Sequence, residues 1–197
     1  MDIDIPRYSI NLKDKYEKIP KQGVVSISSL KAYKDPFPEV TMAIFLKETS
    51  FCRGDYESGL APSLCSSRWQ EDMRFNPNNP FGMNHPLTRK TTSKGKLRDF
   101  MPEYIPETLK EYRVHYRSNA AVYESIDDAI IDYRLWQDYI FSCYGTPKNK
   151  KQYLAVIERA GYNPNKEYHV ELASITVNYK DFLKKFGKFY KKYYDAL

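Results

Sequence analysis

The sequence predicts a mainly α fold with a loop-rich or small β-hairpin lobe, and a few features carry that reading. Apolar residues recur at helical spacing from Pro38 to Phe51 and again beyond Tyr123. Between these stretches, Cys52 to Arg117 is irregular, with frequent Gly, Pro, Asn and Ser and weak apolar periodicity. The chain has 197 residues, 42% hydrophobic and 28% charged, which fits one folded domain and argues against wholesale disorder. A helical body beside an irregular lobe is one way to form a cleft.

The elements follow in order. Met1 to Gln22 is polar and is expected to drape over the body. Ser26 to Tyr33 suits a short helix, broken by Asp35-Pro36-Phe37-Pro38. Pro38 then suits the first turn of a helix running to about Ser50, because its missing N–H has no partner to lose there. Val40, Ala43, Ile44 and Phe51 form one stripe of that helix and Met42, Phe45 and Leu46 the neighbouring one, so it should be buried on much of its circumference. In the irregular stretch, Thr91-Thr92-Ser93-Lys94-Gly95 supplies turn chemistry for a hairpin around Arg89–Lys96. Ser125 with Asp128 resembles a capping box, followed by Ile126, Ala129, Ile130, Tyr133, Trp136, Ile140 and Phe141 at helical spacing. Pro147 breaks the pattern. A further helix runs from about Asn149 to Ala160 and ends at Gly161, and another starts near Asn163-Pro164 and carries Tyr168, Leu172 and Ile175.

Charge and cysteines narrow the function. Of the net charge of +6, Lys180 to Leu197 carries +4, from six Lys against two Asp, so the body is nearly neutral. That argues against nucleic acid as a whole-surface partner. The longest clean apolar run, Met42 to Leu46, cannot cross a bilayer, so no transmembrane segment is expected. The amino terminus has acidic residues and no apolar segment and does not read as a Sec signal peptide. Cys52, Cys65 and Cys143 lack zinc-site spacing, so no metal and no cofactor is implied.

One carboxylate stands out. Glu48 follows Ile44 by one helical turn and shares its apolar stripe near the helix's carboxyl end. Desolvation and the negative end of the helix dipole both disfavour its charged form. An acid that stays protonated near neutral pH is what glycosidic cleavage needs, since the leaving oxygen must receive a proton. The bland alternative is that Glu48 pairs with a Lys or Arg and does nothing else.

Pro38 to Phe51 (PEVTMAIFLKETSF), Asn78 to Pro86 (NNPFGMNHP), Val122 to Gln137 (VYESIDDAIIDYRLWQ) and Ala160 to Leu172 (AGYNPNKEYHVEL) together resemble the glucosaminidase domains of glycoside hydrolase family 73. The blocks occur in the family's order over about Pro38 to Thr176. The resemblance implies a lysozyme-like helical domain, spanning 1–179, that cuts the β-1,4 bond between N-acetylglucosamine and N-acetylmuramic acid in peptidoglycan. It implies Glu48 as general acid and Tyr123 as a cleft-facing catalytic residue. Asn79, Phe81, Gly82 and Met83 become the cleft floor, with Phe81 offering an apolar face to a pyranose and Gly82 allowing close backbone approach. Lys47 and Cys52 depart from the pattern, where Leu or a small apolar residue and a glycine, respectively, are usual. A second carboxylate would come from the lobe, with Glu103 and Glu107 as candidates beside Asp99 and Glu111. Assistance by the substrate's N-acetyl oxygen would need none of them.

Lys180 to Leu197 reads as a basic amphipathic helix, with Phe182, Leu183, Phe186, Phe189, Tyr190, Tyr193 and Tyr194 opposite its lysines. Its aromatic face suits docking on the parent domain, and its charge suits anionic envelope polymers, a membrane surface or neighbouring virion proteins. The expectation is synthesis in the cytoplasm and action at the bacterial cell wall, as a phage lysin or virion component. The alternative is a catalytically silent virion or cell-envelope protein that keeps the fold as a binding module.

Overall fold

The computed structural model describes residues 24–48, 78–96, 99 and 119–194, with backbone only for 185–194. Helix α1 (Ile27–Ala32) is capped by Ser26, whose side chain accepts from Ser29 N while Ser29 reaches back to the Ser26 backbone. It ends in a Schellman turn: Lys34 N bonds Lys31 O and Asp35 N bonds Leu30 O, with Lys34 at φ +56°. Helix α2 (Pro38–Glu48) opens on Pro38 as expected, and Phe37 O receives the first intrahelical bonds from Val40 and Thr41. Both of its apolar stripes are inside: Val40, Met42, Ala43, Ile44, Phe45 and Leu46 are each at most 1% exposed. Each large side chain among them contributes roughly 1.5–3 kcal/mol of burial free energy. Phe51 lies outside the described residues.

Helix α3 (Ile126–Tyr144) is capped by Ser125, which accepts from Asp128 N, and stops at Gly145 (φ +90°) two residues before Pro147. Helix α4 (Lys150–Arg159) is capped by Asn149 and closes on Gly161 (φ +70°), again in a Schellman turn, with Gly161 N to Glu158 O and Tyr162 N to Ile157 O. Helix α5 (Lys166–Tyr194) joins the two helices expected after Asn163 into one run, non-helical only at Asn178. Tyr179, Phe182 and Leu183 pack against the core, so the start of the basic segment docks on the body. No helix among the described residues is long and apolar enough to cross a membrane.

The small sheet is not the expected local hairpin. Strand β1 (Gly95–Lys96) pairs antiparallel with β2 (Ala121–Val122), with Gly95 opposite Val122. Met83 O and Asn119 O exchange bonds with Ala121 N and His85 N on the other edge. Thr91 to Lys94 therefore leads into β1 rather than forming a hairpin turn, and Lys94 N bonds Val122 O at 2.8 Å. Its polar side chains tie it to the body, through Thr92 Oγ1 on Asp128 O at 2.6 Å and Ser93 Oγ on Val122 O at 3.3 Å. The result is a mainly α body, α2 packed on α5, with a small β edge that carries the Asn78–His85 segment across the end of α2.

Candidate active site

Glu48 is the last residue of α2 and is half-buried. The hydroxyl of Tyr168, from the first turn of α5, donates to Glu48 Oε1 at 2.7 Å. The other oxygen lies against Gly82: a Cβ built there would stand 2.6 Å from Glu48 Oε2. Gly82 has φ +59°, a conformation that suits glycine, so the residue meets a backbone need and a space need at once. Lys47 pairs with Glu171, and its Nζ sits 4.9 Å from the centre of the Tyr168 ring.

The segment that brings Gly82 here is held by its own polar groups. The Asn79 amide donates to Met83 O at 2.9 Å and to Ala121 O at 3.0 Å, while its oxygen accepts from Met83 N at 2.9 Å. Asn78 donates to the carbonyls of Tyr123 and Glu124. The Phe81 ring packs against Tyr133 with centroids 4.7 Å apart and planes tilted by 32°, and the Phe81 carbonyl accepts the Tyr162 hydroxyl. A chain of rings continues from Tyr133 to Trp136, Tyr162 and Tyr168, which returns to Glu48.

The sequence-predicted residues therefore separate. Glu48 and Gly82 meet. Phe81 is fully buried, and the expectation that its ring faces a sugar is corrected: the ring fills the core against Tyr133 and anchors the loop. Asn79 and Met83 build that loop, and Met83 is 5% exposed. Tyr123 is 3% exposed and donates its hydroxyl to Asp132 Oδ2 at 2.7 Å. Asp132 in turn holds Arg89 through both oxygens, at 2.7 and 2.9 Å. That burial and the neighbouring Asp132 charge hold the Tyr123 phenol well above its ordinary range. Glu103, Glu107 and Glu111 lie outside the described residues, and Asp99 accepts from Lys96 N at 3.3 Å.

Tyr162 and Tyr168 join the site although the sequence does not mark them as site residues. Their signal is in the Ala160 to Leu172 block, but a tyrosine at helical spacing reads first as core. Burial, with the Glu48 charge next in effect, pushes both phenols far up, so both remain hydrogen-bond donors. Among the described residues no cluster of His, Cys, Asp and Glu could hold a metal ion.

A second polar cluster lies inside the body. Gln137 Nε2 reaches Asp35 Oδ1 at 3.2 Å, Thr41 Oγ1 at 3.3 Å and the Tyr153 hydroxyl at 2.6 Å. Burial raises the Asp35 carboxyl above its usual range, against hydrogen bonds from Thr41, Phe37 N and Gln137. Beside this cluster, an open depression of about 450 Å³ is lined by Lys34, Pro36, Arg134, Asp138, Phe141, Ser142 and Thr146. None of these residues belongs to the Glu48 site. No protein-family model, curated protein or solved structure matches the chain.

Proposed function

We propose that this protein is a peptidoglycan hydrolase that cleaves the β-1,4 bond between N-acetylglucosamine and N-acetylmuramic acid, with Glu48 as general acid. The supporting observation is convergence. Segments far apart in sequence meet at one carboxyl group, through Gly82 against Oε2 and Tyr168 on Oε1. These are three of the blocks that carry the resemblance to the family 73 glucosaminidases. In the reaction, the Glu48 proton passes to the glycosidic oxygen as the C1–O bond breaks. The hydroxyl of a water then ends on C1, and its remaining hydrogen goes to the enzyme's acid–base group. Attack assisted by the N-acetyl oxygen uses no second protein carboxylate, and direct attack by water uses one.

The test is digestion of purified sacculi with mass spectrometry of the reduced products. Reduced glucosamine ends are expected, and Glu48→Gln is expected to abolish them. Full activity in that variant removes Glu48 from the role. A second reading, a silent envelope or virion module, draws on the buried Phe81 ring and on the Tyr123 hydroxyl bonded to Asp132. It predicts retention on sacculi without soluble products.

A further inference from the structure

We propose that Tyr168 is a positioning residue for Glu48, and that the corner between α4 and α5 sets the spacing between Glu48 and the Gly82 loop. The proposal rests on the glycosidase reading above. Tyr168 is 7% exposed and donates to Glu48 Oε1 at 2.7 Å. From the same corner, Tyr162 donates to the carbonyl of Phe81, the residue preceding Gly82. One short segment thus grips both walls of the site, the acid through Tyr168 and the loop through Tyr162.

The rings of Tyr162 and Tyr168 lie 6.1 Å apart, and Trp136 backs Tyr162 at 5.2 Å. The aromatic bodies supply packing that phenylalanine would also supply. What the hydroxyls add is direction. Each ends on an acceptor at the Glu48–Gly82 contact or beside it, where a phenyl ring would leave that acceptor without this donor. Without that donor, the Glu48 carboxyl would spend less of its time in the geometry needed for proton transfer.

Among the described residues, the titratable and charged groups around Glu48 come from each packed element. Helix α5 brings Tyr168 and Glu171, and α2 brings Lys47, which pairs with Glu171. The corner brings Tyr162, whose ionisation the Glu48 charge opposes. Residues 78–83 carry no titratable side chain. Removing the Tyr168 hydroxyl therefore takes a donor from the charged form of Glu48 and should move its titration to higher pH.

The test uses the full-length chain as Tyr168→Phe and Tyr162→Phe. It reads kcat and KM on soluble glycan strands, thermal melts, and the Glu48 titration followed by carboxyl carbon NMR. Tyr168→Phe is expected to lower kcat about tenfold with KM little changed, and to raise the Glu48 midpoint. Tyr162→Phe is expected to raise KM and leave that midpoint in place. An unmoved midpoint in a folded Tyr168→Phe protein overturns the proposal, as does unchanged kcat. If the wild-type chain cleaves nothing, the glycosidase reading fails, and the NMR titration still decides whether Tyr168 holds Glu48.

Discussion

Replacing Gly82 with alanine perturbs the site by one methyl group, and the structure sets the size of the effect. The new Cβ would stand 2.6 Å from Glu48 Oε2 and 3.3 Å from its Cδ, so the carboxyl or the loop must shift. At φ +59° an L-residue also carries a conformational cost of about 1–2 kcal/mol. The contact and the strain can be separated, because Gly161 has φ +70° and an added Cβ there meets nothing within 4 Å. Gly161→Ala should therefore lose about 1–2 kcal/mol of stability without crowding Glu48. Gly82→Ala should lose similar or somewhat greater stability. Its activity should also fall about a hundredfold, the usual consequence of moving a catalytic group by close to an ångström. Urea denaturation measures the first quantity and product release from sacculi the second. A Gly82→Ala protein that unfolds like Gly161→Ala and digests sacculi like wild type would show that the Glu48–Gly82 contact has no part in the chemistry.

Other changes test the scaffold. Asp132→Ala leaves the Arg89 guanidinium, 7% exposed, without its carboxylate partner and should cost about 3–5 kcal/mol in urea denaturation. Tyr123→Phe removes only one bond to Asp132 and should cost about 1 kcal/mol with activity kept; a collapse of kcat at unchanged stability would instead place Tyr123 at the reacting atoms. Lys34→Gly puts glycine where α1 holds a lysine at φ +56° and should raise stability by about 0.5–1 kcal/mol in the same assay. Asp35 has its folded pKa raised by burial, so the folded state holds that proton more tightly than the unfolded chain. Its contribution is then fully present below about pH 3.9, the unfolded value, and is lost as pH rises through the folded value. Urea midpoints across that window should fall less steeply in Asp35→Asn than in wild type; equal slopes would refute the burial argument.

Helix positions were legible because they depend on local chemistry: Pro38 at a first turn, Ser125 and Asn149 at caps, Gly161 past an end. Burial of α2 was legible as well, since apolar residues occupy most of its circumference. The sheet was not. Gly95 and Lys96 pair with Val122 and Ala121, and neither short segment has the alternation that announces a strand. The TTSKG turn signal was local, whereas the pairing that prevails is long-range and fixed by side chains such as Ser93 and Thr92. At the site, Glu48 could be chosen from its stripe and Gly82 from its motif. Phe81 could not be assigned, because a sugar platform and a buried anchor require the same ring. Tyr168 was hidden for a related reason. Its ring has the periodicity of core, and only the direction of its hydroxyl, set by the corner at Gly161 to Asn165, reveals the bond to Glu48.

What Glu48 contributes beyond packing can be separated from packing by its amide. A carboxylate at the carboxyl end of a helix meets the negative end of the dipole and gives up hydration, both unfavourable to a charge. Glutamine would keep the volume, and its carbonyl could still accept the Tyr168 hydroxyl in place of Oε1. A role limited to packing and hydrogen bonding is therefore met as well by glutamine, and relief of the dipole interaction favours it by about 0.3–1 kcal/mol. At the Tyr168 and Gly82 contacts, the transferable proton is what is lost. The expected result for Glu48→Gln is unfolding at equal or slightly higher urea concentration, together with no release of glycan fragments. If the variant instead unfolds far more easily than wild type, the ionised carboxylate is itself part of the framework. The convergence of Gly82 and Tyr168 on it would then be explained by folding alone.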